Sequence, residues 1–137
     1  MINQYKIIKT LGKGAFGLVL LCLSNDTKDY YAIKKMNKAL LKKKPISKGR
    51  NAYDCVIGEM QVMQRLEHPN IIWLHEIIDD PKKDSLFLVT EYHSNGSLGD
   101  QLKELNKDRF SQDHIGLSIT KLRLYLIDIL KALFYCH

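Results

Sequence analysis

The chain has 137 residues, of which 45% are hydrophobic, and carries a formal net charge of +6. This length and apolar content are typical of one globular domain and exclude an intrinsically disordered chain. The start lacks an apolar signal segment and no run reaches 18 apolar residues, so we expect a cytoplasmic protein without membrane contact. Three separated cysteines with no CxxC pair favour neither a zinc site nor a disulfide framework.

Apolar periodicity predicts a sheet of five strands with one main helix, followed by two more helices. The predicted strands are Tyr5–Leu11, Leu18–Leu23, Tyr30–Lys35, Ile71–Ile78 and Ser85–Tyr92. The predicted helices are Ala52–Leu66, Leu98–Leu105 and Thr120–His137, the last one capped by Ser118 or Thr120. A polar, irregular connection spans Asn106–Gly116. The expected fold class is α+β.

A basic segment, residues 34–50, holds eight of the 21 basic residues and no acidic residue. Such a run is typical of a solvated, mobile face. Docking of an acidic partner is the alternative interpretation. Nucleic acid is not favoured as a partner, because no aromatic residue is interleaved with these lysines to stack on bases.

A glycine-rich motif, Gly12-Lys13-Gly14-Ala15-Phe16-Gly17, joins the first two predicted strands. Glycines let the backbone bend and approach a phosphate chain, with N–H groups turned toward its oxygens. The motif alone is also compatible with an ordinary hairpin turn. A dinucleotide-binding motif would start a helix here, whereas Leu18–Leu23 is strand-like, which favours two strands joined by a phosphate-covering loop.

The third predicted strand ends in Tyr31-Ala32-Ile33-Lys34, which places Ala32 and Lys34 on the same side. A small residue leaves room for a flat base, and the lysine two residues later can reach phosphates. Most lysines on strands are simple surface residues, so the assignment depends on the surrounding motifs.

Those motifs together resemble the protein kinase family, whose signature runs G-x-G-x-x-G-x-V and then V-A-I-K. Here the strings are GKGAFGLV and YAIK, with Tyr31 in place of the usual valine. Glu59, in EMQVMQRLEHPNI, matches the helix glutamate that pairs with the strand lysine in that family. Its neighbours Val56, Met60 and Met63 suggest that it lies on the apolar side of its helix.

The resemblance implies an ATP site whose catalytic pair is Lys34 and Glu59, with Lys34 on the α- and β-phosphates. It also implies the positions of the residues around the nucleotide. The glycine-rich turn would cover the phosphates, Thr90 would stand behind the adenine, and the main chain of Glu91 and His93 would bind its edge. The full predicted set is Leu11, Gly12, Lys13, Gly14, Ala15, Phe16, Gly17, Val19, Ala32, Lys34, Thr90, Glu91, His93 and Ser97.

Within that family the chain looks most like the calcium/calmodulin-dependent kinase kinases and their plant and protist relatives. The supporting strings are the lysine-rich insert before the helix, AYDCVIGEM, HPNII and EIIDDPKKDSLFLVTEY. The implied organisation is an N-terminal lobe and hinge over residues 1–93 and the start of a C-terminal lobe over residues 94–137.

Kinases continue with the H-R-D-x-x-x-x-N, D-F-G and A-P-E motifs, and none of these strings occurs here. We therefore expect a truncated, inactive portion of a serine/threonine kinase, whose Mg²⁺ ligands and protein substrate belong to the full-length parent. A catalytically dead kinase-like binding module is the alternative. The last helix should also leave its apolar stripe exposed, so we expect the chain to be poorly soluble, partly disordered after Gly96, or bound to a partner that covers the stripe. That stripe is Leu122, Leu126, Ile129, Leu130 and Leu133.

Overall fold

The computed structural model describes residues 1–47, 49–105, 107 and 116–137. They form two compact units, Met1–Glu67 with Ile71–Tyr92, and His68–Asn70 with His93–His137. Most of the predicted polar connection Asn106–Gly116 lies outside the described residues. The assignment of the two parts of the chain to two kinase lobes stays a prediction.

The first unit is built around a five-stranded antiparallel sheet in the order β1-β2-β3-β7-β6. Its elements are β1 (Tyr5–Gly14), β2 (Gly17–Ser24), β3 (Tyr30–Asn37), α1 (Lys38–Lys43), β4 (Pro45–Ser47), β5 (Arg50–Asn51), α2 (Ala52–Met63), β6 (Leu74–Asp79) and β7 (Ser85–Glu91). The predicted α+β class, the five strands and the main helix are confirmed. The short helix α1 and the β4–β5 ribbon were not predicted.

Side chains alternate between two apolar clusters on the two faces of the sheet, as the two-residue period of a strand requires. One cluster lies against α2 and contains Met36, Leu41, Ala52, Val56, Met60, Leu74, Leu86 and Leu88. The other contains Ile2, Tyr5, Leu20, Cys22, Tyr31, Ile33 and Val89. Strand β3 therefore contributes to both cores and cannot slip by one residue without reversing its faces.

Tyr5 closes the second cluster near the start of the chain and is fully buried. Its hydroxyl donates to Glu76 Oε2 at 2.8 Å, and Gln4 Nε2 donates to the same oxygen at 3.1 Å. Burial, and then the adjacent Glu76 carboxylate, raise the pKa of the Tyr5 phenol above its ordinary value.

The basic segment is folded in its described part, and its basic side chains are mostly exposed, as expected of a solvated face. Lys38 is the buried exception. Asn37 caps α1, since its side chain accepts from the backbone N–H of Leu40 at 2.9 Å. Lys38, the first residue of the helix, is only 8% exposed. Its ammonium donates to Asp79 Oδ1 at 2.7 Å and to the Asp80 carbonyl at 2.8 Å. The segment is thereby fixed to the turn between β6 and β7.

The second unit contains α3 (Leu98–Leu105) and α4 (Ile119–Cys136). Ser118 caps α4 by accepting from the backbone N–H of Lys121 at 3.3 Å, and Tyr125 donates to Gln101 Oε1 at 3.1 Å. No residue of α4 is buried. The predicted apolar stripe is accordingly between 45% and 61% exposed. Among the described residues, no helix combines the length and apolarity needed to cross a bilayer.

Candidate nucleotide site

The glycine-rich motif forms the end of the hairpin between β1 and β2. Gly12 lies opposite Val19 and Gly14 opposite Gly17, so the tip of the turn is Ala15-Phe16. A strand follows the motif directly, as the sequence predicted, and no helix begins inside it. The motif is thus a turn between two paired strands and lies at one end of these strands.

The three glycines of the motif differ in what surrounds them. A Cβ atom on Gly17 would overlap the carbonyl oxygen of Lys35 and lie 3.2 Å from the Met36 Cα atom, so this glycine is required by the pairing of β2 with β3. A Cβ atom on Gly12 would meet nothing within 4 Å, and one on Gly14 only the Gly17 oxygen at 3.7 Å. Packing does not require the first two glycines, and they leave the backbone open to an outside ligand.

Four of the predicted side chains share one face of the sheet next to this turn. Residues opposite each other in antiparallel strands project from the same face. Val19 lies opposite Lys34 and Ala32 lies opposite Thr90, while Ala32 and Lys34 are two residues apart on β3. All four are partly buried. They form a patch with two small or branched apolar residues, a hydroxyl and a cation.

The Lys34 side chain lies near Phe16, one of the two residues at the tip of the turn. Its ammonium nitrogen is 5.8 Å from the centre of the Phe16 ring, within the range of a cation–π contact. Phe16 is itself partly buried against the cluster below α2. In this arrangement the aromatic residue at the tip of the turn lies next to the lysine charge.

The structure does not bring Glu59 to Lys34. Among the described residues, no ion pair joins the two side chains. Glu59 is exposed, whereas Val56 and Met60 of the same helix are buried against the sheet. The expected apolar surroundings of Glu59 are therefore not observed, and its pairing with Lys34 stays a prediction for another position of the helix.

Thr90 and Glu91, at the end of β7, are tied to their neighbouring strands. The Thr90 hydroxyl donates to the Ala32 carbonyl at 3.2 Å. The Glu91 backbone N–H donates to the Trp73 carbonyl at 3.3 Å, and Glu91 Oε1 accepts from the Trp73 N–H at 2.7 Å. Since the Glu91 N–H is engaged in this way, a hydrogen bond between its main chain and adenine would use the Glu91 carbonyl oxygen as acceptor.

The remaining predicted residues lie at the margins of the patch or in the second unit. Leu11 is at the irregularity of β1 between Thr10 and Gly12, and 39% of it is exposed. Lys13 and Ala15 are exposed on the turn. His93 is exposed and belongs to the second unit.

Ser97, also in the second unit, takes part in the cap of α3. Its hydroxyl donates to Asp100 Oδ2 at 2.6 Å and accepts from the Asp100 N–H at 3.1 Å, while its own N–H donates to the same carboxylate at 3.0 Å. The Ser97 hydroxyl and then its N–H hold the pKa of Asp100 below its ordinary value. The Ser97 hydroxyl, which belongs to the predicted nucleotide-binding set, is thus already engaged within the chain.

A residue that the sequence reasoning did not assign to the site also reaches the turn. Lys44, which follows α1, has its ammonium nitrogen 4.8 Å from the centre of the Phe16 ring. Its backbone is held on both sides, because its N–H donates to Leu41 O at 3.2 Å and its carbonyl accepts from the Ala52 N–H at 2.8 Å. The sequence does not distinguish Lys44 from Lys42 and Lys43, which precede it in the same run of lysines.

A cavity of about 420 Å³ lies beside the turn in the first unit. Its lining contains three lysines, Lys13, Lys35 and Lys44, and no acidic residue. Of the predicted nucleotide-binding residues it includes those from Lys13 to Gly17. Among the described residues, no group of three or more histidine, cysteine, aspartate or glutamate side chains could hold a metal ion.

Comparison with known proteins identifies a family that matches this chain. The family model of the protein kinase domain matches residues 5–137. A probable serine/threonine-protein kinase of Dictyostelium discoideum is 37% identical over 138 residues, which cover 100% of this chain and 18% of that protein. The serine/threonine-protein kinase GRIK2 of Arabidopsis thaliana is 35% identical over 136 residues, covering 99% of this chain and 31% of that kinase.

A third relative is a calcium/calmodulin-dependent protein kinase kinase of Caenorhabditis elegans. It is 29% identical over 113 residues, covering 71% of this chain and 21% of that protein. The chain thus spans less than a third of the length of each of these three relatives.

Proposed function

The chain belongs to the protein kinase domain family, and from that premise we propose that it is the ATP-binding portion of a protein serine/threonine kinase. The observation that carries the proposal is the shared face of Val19, Ala32, Lys34 and Thr90 beside a glycine-rich turn. Packing leaves the first two glycines of that turn free to approach a ligand.

Each part of the patch fits a part of ATP. The Lys34 ammonium would bind phosphate oxygens as a point charge, and backbone N–H groups of the turn would bind further oxygens. Val19 and Ala32 offer a flat apolar contact to the adenine ring, beside Thr90. In this role the residues bind and orient the nucleotide, which is most of what a kinase contributes to phosphoryl transfer.

In kinases Mg²⁺ neutralises the charge of the phosphates and is held by residues of the catalytic-loop and Asp-Phe-Gly motifs. In the described part of this chain, no group of three or more histidine, cysteine, aspartate or glutamate side chains could hold a metal ion. The 137 residues also contain no His-Arg-Asp or Asp-Phe-Gly string. We therefore expect nucleotide binding by these residues without phosphoryl transfer, and we assign the transfer to serine or threonine hydroxyls to the full-length parent.

Calorimetric titration of the chain with ATP tests the proposal. Replacement of the cation, Lys34→Met, should weaken binding at least about tenfold, the effect of losing a charge-assisted contact. Lys6→Met is the matched control, since Lys6 is exposed on β1 and lies opposite Leu23, away from the patch. Equal affinities of the two variants would remove Lys34 from the site.

The alternative, a catalytically inactive kinase-like binding module, is favoured by one observation, the separation of Glu59 from Lys34. Under this alternative the natural full-length protein binds ATP but transfers no phosphate, with or without Lys34→Met. Under the main proposal the full-length protein phosphorylates protein serine or threonine, and Lys34→Met abolishes that activity.

For the basic segment we propose contact with an acidic protein. Lys42, Lys43 and Arg50 line a second cavity, of about 330 Å³, whose lining holds no acidic residue. A glutamate-rich peptide should bind the chain more weakly after Arg50→Gln. An affinity that does not change would remove this surface from consideration.

A further inference from the structure

The Phe16 ring is shared by two lysines that come from different parts of the chain. Lys44 has its ammonium nitrogen 4.8 Å from the ring centre, and Lys34 has its nitrogen 5.8 Å from the same centre. Lys34 belongs to β3, whereas Lys44 belongs to the link between α1 and β4. Two positive charges therefore converge on one uncharged group.

The two lysine charges are not neutralised by the ring that they share. Like charges that share one neighbour repel each other, and the electron-rich face of a phenyl ring compensates each of them only weakly. A phosphate oxygen binds an ammonium group far more strongly than a ring does, through a charge-assisted hydrogen bond. An anion that reached this point would satisfy both lysines better than Phe16 does.

Lys44 is held at this place by the fold of the basic segment. Its N–H and carbonyl bond to Leu41 and Ala52, so both sides of its peptide backbone are fixed. The start of α1 is in turn fastened by the buried Lys38 to Asp79. The side chain of Lys44 therefore starts from a defined point, and its ammonium stays within reach of the glycine-rich turn.

The cavity beside the turn, which Phe16 and Lys44 line and Lys34 does not, is a second indication of an anionic ligand. It is lined by Lys13, Lys35 and Lys44 and by no carboxylate, and its volume of about 420 Å³ leaves room for a chain of phosphates. The turn borders this cavity, and Phe16 is part of its wall.

We propose that Lys44 is a second cation for the polyphosphate of the nucleotide, and that the Phe16 ring marks the place that the phosphates take. The inference rests on the proposed ATP binding. It adds a residue whose contribution to affinity depends on the number of phosphates in the ligand. Lys34 serves the phosphates nearer the nucleoside, and Lys44 serves the terminal ones.

The first test compares ligands with different numbers of phosphates, using calorimetry on the whole chain at low salt. Lys44→Met should weaken ATP and inorganic triphosphate up to about fivefold, the range for an exposed ion pair, and should leave AMP within about twofold. Lys43→Met is the control, because Lys43 is also exposed and basic but does not line this cavity. It should change none of the three affinities.

The outcomes separate the inference from the proposed function. If the unaltered chain binds ATP but Lys44→Met behaves like Lys43→Met, or weakens AMP as much as ATP, the inference is overturned and the ATP site stands. If triphosphate binds through Lys44 but no nucleotide binds, the phosphate site stands and the proposed function fails. Loss of binding to a glutamate-rich peptide alone would instead assign Lys44 to an acidic protein partner.

A spectroscopic measurement covers the case in which a variant folds poorly. In the free chain the Lys44 methylene protons next to the ammonium group should show the upfield shift that an adjacent aromatic ring causes. ATP should abolish this shift, since the phosphates displace the ring. A Lys44 shift that persists at saturating ATP overturns the inference.

Discussion

The ammonium nitrogen of Lys38 lies 2.7 Å from Asp79 Oδ1, and this contact joins residues 41 positions apart in the sequence. The side chain of Lys38 is 10% exposed and that of Asp79 is 37% exposed, so the pair is only partly screened by water. It fastens a helix made largely of lysine and leucine to the sheet.

Replacing this lysine, as Lys38→Met, should lower the free energy of unfolding by about 1–2 kcal/mol. The methionine fills similar space but removes the donor to the Asp79 carboxylate, and it leaves the Asp80 carbonyl with only the Lys83 N–H at 3.0 Å. Urea denaturation measures the change. Lys43→Met, on the exposed side of the same helix, should stay within about 0.5 kcal/mol of the unaltered chain. Similar losses in both variants would contradict a specific role for Lys38.

Replacing two glycines of the turn by alanine should distinguish a glycine that strand packing requires from one that ligand binding requires. Gly17→Ala should lower the free energy of unfolding by more than about 2 kcal/mol, because its Cβ atom would overlap the backbone of β3. Gly12→Ala should leave stability almost unchanged, since its Cβ atom meets nothing, but should weaken ATP binding where the phosphates approach. Thermal unfolding and ATP titration of both variants measure this. A stable Gly17→Ala chain would contradict the strand pairing described above.

The lowered pKa of Asp100 predicts acid sensitivity in the second unit. A carboxyl group whose pKa is depressed by folding stabilises the fold above its unfolded pKa of about 3.9, and this stabilisation is lost as pH falls through the folded value. NMR titration should show the Asp100 pKa rising toward its ordinary value in Ser97→Ala. Ser94→Ala, an exposed neighbour in the sequence, is the control and should leave it unchanged.

The raised pKa of Tyr5 predicts that alkaline pH lowers the stability of the first unit. Its pKa is raised, so the folded state holds the phenol proton more tightly than the unfolded state does. This stabilisation is complete below the unfolded pKa of about 10 and is lost as pH rises beyond it. The free energy of unfolding should therefore fall above pH of about 10, and less steeply in Tyr5→Phe. Tyr30→Phe, which replaces a tyrosine that is 53% exposed, should keep the original slope.

The sheet and the long helices could be predicted from the sequence because their signals are local. Strand alternation, Pro69 after the main helix and Ser118 before the last helix each act over a few residues. The helix α1 had a local signal too, since Asn37 precedes Ala39-Leu40-Leu41, but the surrounding lysines concealed it. The capping box of α2, formed by Asn51 and Asp54, is a second signal of this kind.

The parts of the site that escaped prediction depend on distant contacts. The burial of Lys38 requires Asp79, and the place of Lys44 requires both Phe16 and Ala52. No spacing rule connects such residues. The position of Glu59 is set by the rotation of α2 against the sheet, which a helical pattern cannot fix to within one residue.

The hydrogen bond from the Ala52 N–H to the Lys44 carbonyl links the first turn of α2 to the lysine beside the glycine-rich loop. The backbone of Lys44 is therefore bonded directly to the start of the main helix. A rotation of α2 that carried Glu59 inward would pull on the same peptide group from which the Lys44 side chain extends. The position of the helix and the position of the Lys44 ammonium near the phosphates would then change together.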